Sequence, residues 1–472
     1  MRFLWFLSLI PFVSNGQHAV IRGVAPLAIG QEIQLRVYDD PISGKERVLA
    51  KQIIDVDGSF ELKVVPNEVQ YAFLQVGREC ADFFIEREKD VELSFVPPKR
   101  DDKKPQAFNE RHFFIPKITG GKSAKLNEQI IQFNSAIDEF MESIYPQLKQ
   151  RRSPGFVAEK VAEFEAKMLK DFEGSDAFVQ DYIKYSIAGI EQTFLSDRDR
   201  LYNKYLKGKR AQFNNPAFVD FALQFYQGEV YKIAVVNKHE ECKKLLDGKE
   251  AFAKMDEMLL AAEPKLQDVS LRRMVLIEGF DGLFGQKDFE DKKLISALKQ
   301  FGMLSSNSYV GNAARNIAAK HEKLAVGTAA PEIVFNDLNG TEKQLSELQG
   351  TYVFLELTDA KNAYCQRETN VIPNLKSEFK NVRFVTVCVG NTKAEMEALQ
   401  KQMNIDWEFG GVSLSNAVLE DYDIQSLPLF FIIDPQGRFY RSPGPDPTKG
   451  AQQELMSLNE KLKAKSKSSV GK

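Results

Sequence analysis

The sequence predicts a multidomain protein: an N-terminal antiparallel β-sandwich over residues 17–98, an α-helical region over 108–323, and a C-terminal α/β domain over 324–465. Three observations predict it. Short β-branched and aromatic runs alternate with turn signals from His18 to Val96. Apolar residues then recur at helical spacing from about 123 to 322. From Leu324 strand-like and helix-like runs alternate. The chain has 472 residues, enough for about three domains.

The N-terminus reads as a leader. Arg2 precedes an apolar stretch, Phe3–Val13, and small residues at Ser14 and Gly16 suit cleavage before Gln17. The stretch contains Pro11 and is too short to span a bilayer. Residues 1–16 are therefore expected to be a signal peptide, and the mature chain periplasmic or secreted. No cysteine follows the stretch, so no lipid anchor is expected, and no later run is long and apolar enough for a membrane helix.

The β region begins with the runs His18–Val24, Gln31–Tyr38 and Val48–Ile54. Asp55-Val-Asp-Gly58 then turns the chain into Phe60–Val65, and Asp-Gly between alternating runs is a hairpin signal. Tyr71–Val76 and Val91–Val96 complete six or so strands, the number of a small sandwich. A linker over 99–107 follows, rich in Pro and charge and without an apolar anchor.

In the middle region Leu126, Ile130, Phe133, Ile137, Phe140 and Ile144 define one helical face. Val157, Val161, Phe164, Met168 and Phe172 define a second, and Phe218, Phe221 and Phe225 a third. These aromatic residues could line a ligand groove, although at this spacing they more often form core. Beyond Leu324, strands are expected at Tyr352–Leu357, Val382–Val389 and Leu429–Ile433. Helices are expected at Arg367–Phe379, Lys393–Met403 and Ser415–Tyr422. This is a βαβ pattern closed by a hairpin at Asp434-Pro-Gln-Gly437, and the Lys-rich end, 466–472, reads as a flexible tail.

Composition removes several function classes. The net charge of −3 gives no electrostatic case for nucleic acid or acidic membrane. Four cysteines, Cys80, Cys242, Cys365 and Cys388, are too few for a disulfide framework, and Cys80, Cys242 and Cys388 read as small buried residues. His18, His112, His239 and His321 are scattered without metal-ligand spacing, and no phosphate-binding or nucleophile-elbow motif occurs. A peroxidatic pattern would need Pro at Thr358 and Thr at Asn362. No metal and no cofactor is expected.

The segment from about Val326 to Leu462 carries five short motifs in order. They are Gly327-Thr-Ala-Ala-Pro331, Leu338-Asn-Gly340, Leu345–Gly350, Asp421–Pro428 and Phe430–Gly437, and Cys365 lies between the third and fourth, eight residues before Pro373. In these it resembles the TlpA/ResA-like periplasmic thiol–disulfide oxidoreductases of the thioredoxin superfamily. The β region with Asp55–Phe60 looks like the sandwich that often precedes such a domain. The resemblance implies a thioredoxin fold, with Cys365 as attacking thiol, Tyr364 in the place of the usual Trp, and Leu427 with a cis Pro428 facing a peptide. It implies protein or peptide thiols and disulfides in the cell envelope as partners. The sequence departs from the pattern where it matters most: the resolving position is Glu368, not Cys.

A dithiol cycle ends when a second thiol displaces the mixed disulfide, which Glu368 cannot do. Cys365 is expected to be an accessible thiol, favoured as thiolate by its helix N-terminus and opposed by the nearby Glu368 charge. Cys388, near the end of the next strand, is the alternative resolving thiol. The favoured expectation is an exported binding module without turnover. Its rivals are a monothiol oxidoreductase using Cys365 and a protein whose helical middle does the work. Whether the chain is an enzyme, and its oligomeric state, stay open at this level.

Overall fold

The computed structural model describes residues 18–99, 111–149, 154–194, 197–246, 250–414 and 417–470. The expected leader and most of the expected linker lie outside the described residues.

Among the described residues nine strands precede the helices: β1 (Ala19–Val24), β2 (Glu32–Tyr38), β3 (Glu46–Ile53), β4 (Ser59–Val64), β5 (Gln70–Val76), β6 (Glu79–Ile85), β7 (Val91–Ser94), β8 (His112–Phe114) and β9 (Lys117–Gly120). They form two sheets, in the orders β4-β1-β7-β9 and β3-β2-β5-β6-β8. Alternation drives the burial: along β4, Phe60, Leu62 and Val64 point inward while Glu61 and Lys63 face water. Ile21, Leu35, Leu74 and Leu93, drawn from both sheets, share one apolar core. The turn into β4 places Gly58 at φ 83, a left-handed value that suits glycine.

Two features correct the sequence reading of this region. It is not purely antiparallel, because β1 runs parallel to β7 and β6 parallel to β8. It also does not end at 98: β8 and β9 lie beyond the expected linker and join one sheet each. Three- and four-residue strands are too short to show a period in sequence.

The helices follow from Ala124. Ala124–Lys149 and Pro154–Asp171 carry the first two predicted stripes and pack with Ala177–Phe194, with Phe133, Val161 and Ile183 in one cluster. Phe84 of β6 joins that cluster, so these helices pack on the second sheet. The junction is pinned by Asn127, whose amide also donates to the Ser123 carbonyl at 3.1 Å. Its side chain accepts from Phe84 N at 2.7 Å and donates to Phe84 O at 2.9 Å. Asn127→Ala should strand both buried backbone groups and lower stability by about 2–3 kcal/mol in chemical denaturation. A loss below about 0.5 kcal/mol would show that the pinning carries no weight.

The described residues cluster into two compact units. One joins the β region to the helices as far as Asn316, apart from Glu290–Ser296; the other is built on Ile317–Lys472.

In the second unit the strands are β10 (Val334–Asn336), β11 (Glu342–Gln344), β12 (Tyr352–Thr358), β13 (Val382–Val389), β14 (Glu408–Val412), β15 (Leu429–Ile433) and β16 (Phe439–Arg441). They form one sheet in the order β11-β10-β14-β13-β12-β15-β16. The central β12 is parallel to β13 and antiparallel to β15. Leu355, Val385 and Phe431 pack on one face of the sheet. Phe354, Phe384 and Ile432 pack on the other with Leu455 and Leu458 of the last helix.

That last helix, Ala451–Val470, continues past residue 465, because Lys, Ala and Ser give no stop signal before Gly471. The expected Arg367–Phe379 helix is instead two, Ala363–Thr369 and Ile372–Glu378, the second with Pro373 in its first turn. The expected Ser415–Tyr422 helix is the shorter Val418–Asp421. β14 has no counterpart in the sequence reading. Its Gly410 lets the Asn336 carbonyl approach so closely that a Cβ would stand 2.3 Å from it.

Candidate functional site

β12 delivers the chain to the edge of the sheet at Thr358, and a tight loop turns it into the helix Ala363–Thr369. The loop is fastened to the end of β13. Asn391 donates to Asp359 Oδ1 at 2.8 Å and accepts from Ala360 N at 3.1 Å. Asn362 caps the helix, its side-chain oxygen accepting from Tyr364 N at 2.8 Å and Cys365 N at 3.3 Å.

Cys365 sits in this first turn and is 0% exposed. It shares an apolar cluster with Leu357, Val387 and Leu427. Burial is the main influence on its thiol and pushes it up to about 11. The Asp359 backbone and the Thr358 hydroxyl favour the thiolate, and the Glu356 and Asp359 carboxylates oppose it. Thr358 Oγ1 is buried and makes no hydrogen bond of ordinary geometry, so its help to the thiolate is weak. Two expectations are corrected here. The thiol is enclosed rather than accessible, and the carboxylates that act against it are Glu356 and Asp359 rather than Glu368.

Glu368 is also 0% exposed, and it points elsewhere. Its Oε2 accepts from Thr448 N at 3.0 Å and its Oε1 from Thr448 Oγ1 at 2.8 Å. One turn earlier, Tyr364, 36% exposed, donates to Asp446 Oδ2 at 3.1 Å and lies 4.6 Å beneath the Arg367 guanidinium. The helix is thus held at two points by the loop around residues 446–448.

Glu356, in the middle of β12, is the functional candidate that sequence reasoning missed. It is fully buried and accepts from Thr369 Oγ1 and Thr386 Oγ1, both at 2.7 Å. Thr386 accepts in turn from Trp407 Nε1 at 3.0 Å, and the Cys365 carbonyl, 3.0 Å from Thr369 Oγ1, is the alternative acceptor for that hydroxyl's single proton. Burial raises the Glu356 carboxyl to about 7, against the opposing pull of the two threonines. The available signal was one carboxylate inside an apolar strand, which calls for buried partners.

Cys388 stands beside Thr358 in the β12–β13 register. It belongs to a different apolar cluster from Cys365, under the helix Lys393–Met403 with Met396 and Leu399. Burial raises its thiol well above the ordinary value, and all four cysteines are free. The structure brings Cys365 and Leu427 into one apolar cluster, with Pro428 half-buried next to Leu427, whereas Tyr364 turns to Asp446 and Arg367. The Leu427–Pro428 bond is cis, as anticipated; a second cis bond, Ser442–Pro443, was not. Among the described residues no three His, Cys, Asp or Glu side chains gather as a metal site, and no helix is long and apolar enough to cross a membrane.

A central sheet flanked by helices, with a cysteine in the first helical turn after the middle strand and a cis-proline before the next, defines a thioredoxin-like domain. The family comparisons agree: residues 326–441 match the AhpC/TSA family. The thiol-disulfide oxidoreductase ResA of Bacillus subtilis (strain 168) is 31% identical over 124 residues, 26% of this chain and 69% of the relative. ResA of Geobacillus kaustophilus (strain HTA426) is 30% identical over 124 residues, 26% of this chain and 71% of that one. Through this domain the chain belongs to the ResA-type thiol-disulfide oxidoreductase family. Among solved structures, the thioredoxin domain of a thiol-disulfide oxidoreductase from Bacteroides vulgatus is 22% identical. It covers 29% of this chain and 98% of that one, with a TM-score of 0.27.

Proposed function

We propose that this is an exported member of the thiol–disulfide oxidoreductase family that has lost dithiol turnover. Its C-terminal domain, residues 324–465, then serves as a binding module for protein or peptide partners in the cell envelope. The leader-like residues 1–16 support export. The N-terminal two-sheet region is read as a β-sandwich that precedes the helical part. Tyr364, Leu427 and Pro428 are the residues offered to a peptide.

The observation that carries this reading is the fate of the resolving position. Glu368 is buried and both its oxygens accept from Thr448, so the resolving position holds a bonded carboxylate in place of a thiol. The enclosed, weakly acidic Cys365 thiol argues in the same direction against a monothiol cycle.

Insulin reduction by the mature chain tests it. The native protein should stay at background, and Glu368→Cys should rise above it by restoring the pair. Robust reduction by the native protein, lost in Cys365→Ser, would overturn the reading.

A further inference from the structure

A second candidate site lies wholly in the first unit, far along the chain from Cys365. A cavity of about 540 Å³ opens between the sheet carrying β5 and β6 and the helices Ala124–Lys149, Ala177–Phe194 and Pro216–Phe225. This volume is within the ordinary range for small-molecule sites, about 300–1,000 Å³.

Its walls are aromatic. Tyr71 stacks on Tyr38 with ring centroids 6.1 Å apart, and Phe84 meets Tyr71 and Tyr182 edge-on at 5.7 and 5.8 Å. The polar groups among them are neutral amides, such as Asn134, and carboxylates. Asp82 projects from β6 and accepts from Tyr71 Oη at 3.3 Å, and Asp220 projects from the helix Pro216–Phe225. Both carboxylates act on the Tyr182 hydroxyl, which donates to Asn134 Oδ1 at 3.2 Å. The two aspartates thus converge on one ring.

Neither aspartate has a cationic partner among the described residues, and no described lysine or arginine lines the cavity. Arg111, the cation acting on Tyr38, is already committed to both Glu46 oxygens at 2.9 and 2.5 Å. Asp82 is half-buried and Asp220 keeps contact with solvent at the cavity mouth, and the protein packed around each raises its carboxyl, against the Tyr71 hydrogen bond at Asp82. An anion would meet two like charges. A neutral guest would leave the carboxylates uncompensated. An organic cation gains from both carboxylates and from the faces of the tyrosines, where cation–π contact is worth about 0.5–2 kcal/mol.

We propose that this cavity binds a small organic cation, an ammonium group carried on an apolar body, with Asp82 and Asp220 taking the charge and Tyr38, Tyr71, Phe84 and Tyr182 the body. The site is independent of the thiol chemistry of the C-terminal domain.

Calorimetric titration of the mature full-length chain tests it. The probes are phenethylamine and benzyltrimethylammonium, with 3-phenylpropionate as the anion of similar size and methyl glucoside as the neutral alternative. Both cations should bind saturably at one site per chain, and the anion and the glucoside should not. Asp82→Asn and Asp220→Asn should each weaken cation binding at least about tenfold. Asparagine at 82 keeps an acceptor for Tyr71 and position 220 meets solvent, so the thermal midpoint should change little and loss of affinity is separable from loss of fold. The proposal is overturned if neither cation binds, if 3-phenylpropionate or methyl glucoside binds as well as they do, or if the folded variants retain native affinity.

Discussion

Glutamine at position 356 should make the C-terminal domain more stable than the native sequence does, and the advantage should grow with pH. In the unfolded chain this carboxyl titrates near 4.5; in the fold, burial holds it near 7. Between these values the folded protein keeps a proton that the unfolded chain has released. Stability from this group is therefore fully present below about 4.5 and is lost as pH rises to about 7, where the loss levels off. The gap corresponds to about 3 kcal/mol.

Glutamine suits the network. Its carbonyl accepts from Thr386 as Oε2 does now, and its amide donates to Thr369, which then donates to the Cys365 carbonyl. Trp407 lies in the same network, and the only other tryptophan, Trp5, falls within the expected leader. Trp407 fluorescence in denaturant titrations from pH 4 to 8 therefore reads this domain. Parallel pH profiles for Glu356→Gln and the native chain would remove the buried-acid argument.

The second large effect is kinetic. None of the four cysteines should react promptly with a maleimide or an aromatic disulfide in the folded protein, and all four should react once it is denatured. Cys80, Cys242 and Cys365 are each raised by burial, to about 12, 11 and 11, and Cys388 is raised well above its ordinary value. Against an ordinary thiol near 9, a value near 11 means about 100-fold less thiolate at neutral pH. Enclosure of the sulfur slows attack further. One fast equivalent in the native state, absent from Cys365→Ser, would show that the site opens in solution and would revive a monothiol reaction.

What the sequence made legible is local chemistry. Leu427 before Pro428 and the Asp434–Gly437 turn each write their geometry into a few adjacent residues, and each is found in place. The long strands β12 and β13 and the helix Lys393–Met403 were legible for the same reason. What escaped was set by partners distant in the chain. Glu356 looked like an exception in an apolar strand because its two threonines lie 13 and 30 residues away. β14 was hidden because Gly410 and Gly411 have no side chains to pattern, and their role is to admit other groups closely. The enclosure of Cys365 depends on packing against Leu427 and Val387, which spacing does not reveal. Glu368 was read against its neighbour three residues back, whereas its partner Thr448 is 80 residues on.

That last contact makes the change at position 368 hard to reverse. Glu368 does more than fill the space of a missing sulfur, since a backbone amide and a hydroxyl of a distant loop have come to depend on it. Reinstating cysteine there would supply the thiol and leave Thr448 without its acceptors, a deficit of about 1–3 kcal/mol. The position behaves as a ratchet: the chemistry can return with one substitution, but only in a weakened scaffold, and a lineage or an engineer that wants both must also change Thr448.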